Sequence, residues 1–166
     1  IQTFENILQA LDELSETGLI FTHANSDKNG RVINKMITEY VEIHRDKAVA
    51  FKSLGQLRYL SALQFVDFVI GNSSSGILEV PAFYIPTINI GDRQKGRINC
   101  ESVINSTNSL EDIKKSITFA LDKHFRETIQ QQEMLYGNGT AAEKILKVIK
   151  EHTIIPLKKS FYDISY

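Results

Sequence analysis

Apolar residues return at the helical period at the start of the chain. Phe4, Ile7, Leu8, Leu11 and Leu14 follow Thr3, which can cap the helix, and Gly18 stands as its stop. Leu19-Ile20-Phe21-Thr22 then reads as a short strand ending in the polar group His23, Asn25, Asp27 and Asn29. Val32, Ile33, Met36, Ile37, Tyr40 and Val41 share one face of a second helix, which leads to a strand at Ala48–Phe51 closed by Lys52 and Ser53. Leu57, Leu60 and Leu63 predict a third helix before the nearly continuous apolar strand Val66–Ile70, as suits a strand covered on both faces. A helix around Val80–Phe83, a strand Thr87–Ile90 after Pro86, and a short strand at Val103-Ile104 come next.

Toward the end, Ser109 and Asp112 form a capping-box pattern ahead of Leu110, Ile113, Ile117 and Leu121. Arg126–Met134 reads as helix, Gly137-Asn138-Gly139 as a break, and Thr140 as the start of a last helix with Ala142, Ile145, Leu146 and Ile149 inward. Strands alternating with helices predict an α/β fold, a Rossmann-like parallel sheet with helices on both faces. Asn25, Lys52, Ser73 and Arg93 each follow a different predicted strand. All four therefore fall at the carboxyl edge, where open α/β sheets bind ligands.

The most informative stretch is Phe68–Gly96. A buried strand runs into Gly71, Asn72 and three consecutive serines, with Gly76 and Glu79 just beyond. Small residues let an anion approach the backbone, serine hydroxyls add donors, and a carboxylate one turn on can accept from sugar hydroxyls. The same letters also suit plain helix capping with an acidic residue complementing the dipole, and both readings stay open at this level. Pro81 either kinks that helix or restarts it at its own position. Arg93, Lys95 and Arg97 form the strongest cationic cluster; as neighbours of the serine turn they suit pairing with a diphosphate, although a solvated loop is the plainer alternative.

With 166 residues, 42% hydrophobic and 23% charged, the chain is long enough for one core. A net charge of −1 argues against a nucleic-acid partner, and no apolar run approaches a membrane span. The lone Cys100 permits no internal disulfide, and a cytoplasmic location is expected. The chain opens at Ile1 without an initiator Met, so a fragment of a longer protein is expected. G-x-G-x-x-G after the first strand, the P-loop and the G-x-S-x-G elbow are all missing. His23, His44, His124 and His152 lack metal spacing, only His23 falls near the expected cleft, and neither a metal nor a cofactor is expected.

Gly71-Asn72-Ser73-Ser74-Ser75-Gly76-Ile77-Leu78-Glu79-Val80, with Asn89-Ile90-Gly91-Asp92-Arg93-Gln94-Lys95-Gly96-Arg97, resembles the hydrolysing UDP-N-acetylglucosamine 2-epimerases of sialic acid and related nonulosonic acid synthesis. The likeness runs from about Leu19 to Phe161-Tyr162. It implies the second domain of a two-domain, glycosyltransferase-B-type architecture. Residues 1–155 would be the nucleotide-binding domain, and 156–166, with Phe161, Tyr162 and Tyr166, a tail packing on the other domain or on another copy in a homo-oligomer. It further implies UDP and a UDP-sugar as partners and a place in capsule or lipopolysaccharide synthesis. Ser73 and Ser74 would hold the diphosphate, Glu79 the ribose, Arg93 the nucleotide, and Asn25 would match the asparagine after the domain's first strand. The family usually has a proline before that asparagine; here the order is Thr22-His23-Ala24-Asn25. The proton-transfer groups would lie mostly outside this chain, leaving it inactive alone. The donor domain of a B-type glycosyltransferase and a non-enzymatic nucleotide-binding module are the alternatives.

Overall fold

A computed structural model describes residues 1–25 and 29–152. Asp27 and the 156–166 tail, with its three aromatics, lie outside the described residues. The chain divides into two compact units, residues 1–135 and 136–166. The first contains α1 (Gln2–Asp12), β1 (Leu19–Thr22), α2 (Gly30–Ile43), β2 (Ala48–Phe51), α3 (Gly55–Ala62), β3 (Val69–Gly71), α4 (Ser75–Leu78), β4 (Thr87–Ile90), β5 (Val103–Ser106), α5 (Leu110–Leu121) and α6 (Lys123–Thr128). Two 3₁₀ turns, Val80–Phe83 and Ile129–Gln131, follow α4 and α6.

Every strand pairing is parallel, as the alternating pattern predicts, but the expected single sheet is divided. β1 and β2 form a two-stranded sheet, and β3-β4-β5 form a three-stranded one with β4 central. One core joins them: Ile88 and Ile90 of β4 pack with Ile7, Ala10 and Leu11 of α1 and Ile113, Ile117 and Ala120 of α5, and Leu19, Phe21 and Ile70 pack against that cluster. On the other side, Leu63, Val80 and Ile85 gather Tyr59, Leu60, Val66 and Val69. Adjacent residues Val69 and Ile70 thus serve opposite faces, the period-two signature of a strand sandwiched between helical layers.

Several boundaries move, each for a local reason. Ile1 rather than Thr3 opens α1, because the Ile1 carbonyl accepts from the N–H groups of Phe4 and Glu5 at 2.8 and 3.2 Å. That helix stops at Asp12, well short of Gly18, where the Asp12 carboxylate accepts from Tyr40 Oη at 2.6 Å and from Lys47 Nζ at 3.3 Å. Of the face expected inward on α2, Ile37 is buried, as is Tyr40, whereas Val32 is exposed. β3 begins at Val69 instead of Val66: Val66 joins the core after a turn in which Phe65 N–H donates to the Ala62 carbonyl. The helix around Pro81 splits, α4 ending at Leu78 and a 3₁₀ turn restarting with the proline in its first positions. β5 runs on to Ser106, and α6 starts earlier, at Lys123, under an Asp122 cap that accepts from Phe125 N–H at 2.8 Å.

Ser109 caps α5 as expected, accepting from Asp112 N–H at 3.2 Å. The Asp112 carboxylate, however, accepts from Thr107 Oγ1 instead of completing the box. In the second unit, Gly137 and Gly139 adopt φ of 104° and 86° ahead of α7 (Ala141–Glu151). No residue of α7 is buried within the described residues: Ile145, Leu146 and Ile149, expected inward, are more than half exposed, because nothing described in its own unit covers that face.

Candidate functional site

Parallel pairing places the ends of β3, β4 and β5 along one edge, with Gly71, Asn89 and Asn105 in lateral register. At that edge the buried Asn89 donates from Nδ2 to the exposed Asn105 Oδ1 at 2.8 Å, so a half-buried polar pair ties the strand ends together. Gly76 is buried against β4, where a Cβ would stand 2.6 Å from Thr87 Cγ2. Only a glycine lets α4 sit that close to the strand.

The serines divide their roles. Ser73 Oγ accepts from Ser75 N–H at 3.3 Å, a local turn bond. Ser75 Oγ lies in a short hydrogen bond with Tyr59 Oη, delivered from α3. Ser74 is the N-cap of α4 yet makes no side-chain capping bond; its carbonyl accepts from Ile77 and Leu78 N–H. Simple capping therefore accounts for Ser73 but not for the Ser74 hydroxyl. α4 has four residues, so any anion here would meet turn N–H groups and hydroxyls more than a helix dipole.

Glu79 is exposed and stands at the C-terminal end of α4, its N–H donating to the Ser75 carbonyl at 2.8 Å. A carboxylate there opposes the α4 dipole; Glu79 also precedes the 3₁₀ turn Val80–Phe83 as its N-cap, but makes no side-chain capping bond to it. Burial raises the Tyr59 phenol above its ordinary value, and the nearby Glu79 charge adds to this, while the bond to Ser75 acts in the opposite direction.

Arg93 lies in the exposed loop between β4 and β5 and donates from Nη1 to Asn72 Oδ1 at 3.4 Å. Beside it, Gln94 is 6% exposed and donates from Nε2 to the Asn72 carbonyl at 2.9 Å. The loop leaves β4 at Gly91, whose φ of 74° suits glycine, and Lys95 and Arg97 are exposed on it.

Arg93 is thus brought to Asn72 at the head of the turn that holds Ser73 and Ser74, with Glu79 following at the end of α4. Asn25 is exposed at the end of β1, in the two-stranded sheet, and no hydrogen bond of the described residues links it to the serine turn. The two residues before it are anchored through their backbone. Asn34 of α2 accepts from Ala24 N–H at 2.7 Å and donates to the Ala24 carbonyl at 3.2 Å, and His23 N–H donates to the Phe51 carbonyl at 3.0 Å. Sequence reasoning missed Tyr59, Gln94 and Asn34; the one available signal was an uncharged glutamine inside an otherwise charged loop. Among the described residues no group of three His, Cys, Asp or Glu side chains could hold a metal ion, and no helix is long and apolar enough to cross a membrane.

Comparison with known proteins identifies the family. The family profile described as UDP-N-acetylglucosamine 2-epimerase matches residues 1–150. A Campylobacter jejuni protein named GDP/UDP-N,N'-diacetylbacillosamine 2-epimerase (hydrolyzing) is 38% identical over 96% of this chain and 42% of its own length. The crystal structure of the Methanocaldococcus jannaschii UDP-GlcNAc 2-epimerase, in complex with UDP-GlcNAc and UDP, superposes with a TM-score of 0.68 at 17% identity, covering 90% of this chain and 41% of that one. A Listeria monocytogenes crystal structure assigned to the same enzyme superposes at 0.72 with 18% identity, over 98% and 43% of the two chains. The chain thus spans about two fifths of the length of these relatives. Profile, relatives and fold agree that the chain belongs to the UDP-N-acetylglucosamine 2-epimerase family.

Proposed function

We propose that this chain is the UDP-binding half, the second of two domains, of a hydrolysing 2-epimerase that acts in the cytoplasm on a UDP-linked 2-acetamido sugar. The observation that carries the reading is the pair of hydrogen bonds by which Arg93 and Gln94 tie their loop to Asn72, at the head of the serine turn, in a member of this family. Ser73 and Ser74 hold the diphosphate and Arg93 neutralises it, a pairing of hydroxyl donors with a guanidinium fork that phosphate oxygens favour. Glu79 accepts from the ribose hydroxyls, and Asn25 reaches the nucleotide from the end of β1. UDP-N-acetylglucosamine and its diacetamido relatives both belong to the substrate class.

In the reaction a base removes the C2 proton, its electron pair forms the C1=C2 bond of a glycal, and the C1–O bond breaks to release UDP. Water then adds across that bond with inversion at C2. The contribution of this half is stabilising charge on the departing diphosphate by groups already fixed in place. The proton-transfer groups belong to the other half, so the chain alone binds UDP without turnover. Titration calorimetry with UDP, beside a coupled assay for UDP release from UDP-N-acetylglucosamine, tests this. Absence of UDP binding by the folded chain, or hydrolysis by the chain alone, would refute it. Product analysis of the longer protein separates epimerisation from transfer to an acceptor.

A further inference from the structure

Asn72 is the meeting point of two loops that the chain supplies separately. Its main-chain carbonyl accepts from Gln94 and its side chain from Arg93, across 22 and 21 residues of sequence. The two donors are consecutive, yet they live in opposite environments. Arg93 and Lys95 are exposed, while the Gln94 between them is buried. A buried amide loses its hydration and is tolerated where a partner replaces the water; here that partner is a carbonyl of the serine turn. The rest of the loop is closed on itself, Lys95 N–H donating to the Asp92 carbonyl at 2.9 Å and Arg97 N–H to the Gln94 carbonyl at 3.2 Å. Gln94 therefore anchors a compact loop to the turn, and the long Arg93 side chain leans on the same residue.

We propose that Gln94 and Asn72 form a clasp that positions Arg93 beside the serine hydroxyls, so that both face one anion with their relative placement already fixed. The inference rests on the UDP-binding reading and deepens it. A nucleoside diphosphate reaches both loops at once, whereas a monophosphate engages only part of the pair. The clasp thereby sets the preference for the diphosphate. Neither clasp residue needs to touch the ligand; their effect runs through Arg93, which makes them positioning residues.

The test is calorimetric titration of the 166-residue chain with UDP and with UMP, in the unaltered protein, in Gln94→Leu, Asn72→Ala and Arg93→Ala, and in the double variants with Arg93→Ala. Gln94→Leu keeps much of the volume and removes the amide; Asn72→Ala removes an exposed side chain and keeps the main-chain carbonyl. Each clasp variant should lower UDP affinity about five- to tenfold and UMP affinity less, narrowing the UDP to UMP ratio. Arg93→Ala should lose several-fold less affinity in a clasp-broken background than in the unaltered chain, the non-additivity expected of groups acting as one unit. Equal losses in both backgrounds, or an unchanged UDP to UMP ratio, would overturn the clasp while leaving the UDP site standing. No UDP binding by the unaltered chain would sink both. Should Gln94→Leu fail to fold, Gln94→Met with its Arg93→Ala double variant takes its place, because Asn72→Ala removes only the bond to Arg93 and leaves the carbonyl that receives Gln94.

Discussion

The replacement Gly30→Ala probes how firmly the β1–α2 connection is built. An alanine Cβ at position 30 would stand 2.0 Å from the Asn25 carbonyl oxygen and 3.2 Å from its carbon. Ordinary contact between such atoms is roughly 3.5 Å, so the loop must retreat by more than an ångström. A carbonyl cannot rotate away as a side-chain tip can, and the retreat strains the paired bonds from Asn34 to Ala24. Losing two such bonds costs about 1–3 kcal/mol, against which alanine returns about 1 kcal/mol of helix propensity. The net expectation is destabilisation by up to about 2 kcal/mol, together with weaker UDP binding because Asn25 is displaced. Urea unfolding gives the first quantity and calorimetry the second. In an Asn34→Ala background the loop is already released, so Gly30→Ala should cost clearly less there. A Gly30→Ala protein more stable than the parent, or an undiminished cost beside Asn34→Ala, would refute the steric account.

Glu79→Gln should weaken UDP binding by about 1–3 kcal/mol and leave the melting temperature nearly unchanged, as its side chain makes no capping bond to the 3₁₀ turn that follows; a drop in melting temperature with intact UDP affinity would count against the ribose role. Gly76→Ala should destabilise the fold through its contact with Thr87 Cγ2, and Thr87→Ser, which deletes that methyl, should recover part of the loss in urea midpoints; no recovery would mean that another contact is responsible. Asp12 gives an acid-side signature. Burial by itself raises its pKa, but the bonds from Tyr40 and Lys47 and the charges of Lys47 and His44 outweigh that and lower it. Because the folded value lies below the unfolded one, this contribution is present above pH 4 and is lost as pH falls through the folded value. The Asp12 side chain is 44% exposed, so the effect should stay well under 1 kcal/mol, and Asp12→Asn should flatten the melting-temperature profile only below about pH 5; equal loss at every pH would point to packing instead.

Hydrophobic period carried the order of elements from β1 to α5, because a strand sandwiched between helices and an amphipathic helix write different patterns. Ser109 and its Asp112 N–H partner were legible for the same reason: a cap is a local contract between neighbours. Ends and partners were not. Val66 and Phe68 look like strand whether or not they pair, so the start of β3 depended on where Pro86 offered its carbonyl to Val69 N–H. Nothing in a glutamine's own neighbourhood says whether it is buried: Gln94 and Gln132 are each 6% exposed because distant main-chain groups pair with them, the Asn72 carbonyl accepting in one case, the Pro81 carbonyl accepting and Ser102 N–H donating in the other. The strand-end rule found Arg93 and the serines on one edge. It could not separate three identical serines with different bonds.

That separation has an evolutionary corollary. The hydroxyls of Tyr59 and Ser75 answer one another, so each is useful only while the other remains. A homologue that carries phenylalanine at the position of Tyr59 has no use for a hydroxyl at the position of Ser75, and glycine, alanine or cysteine becomes acceptable there. The two positions should therefore drift as a pair. An alignment in which positions 59 and 75 vary independently would show that the bond is incidental.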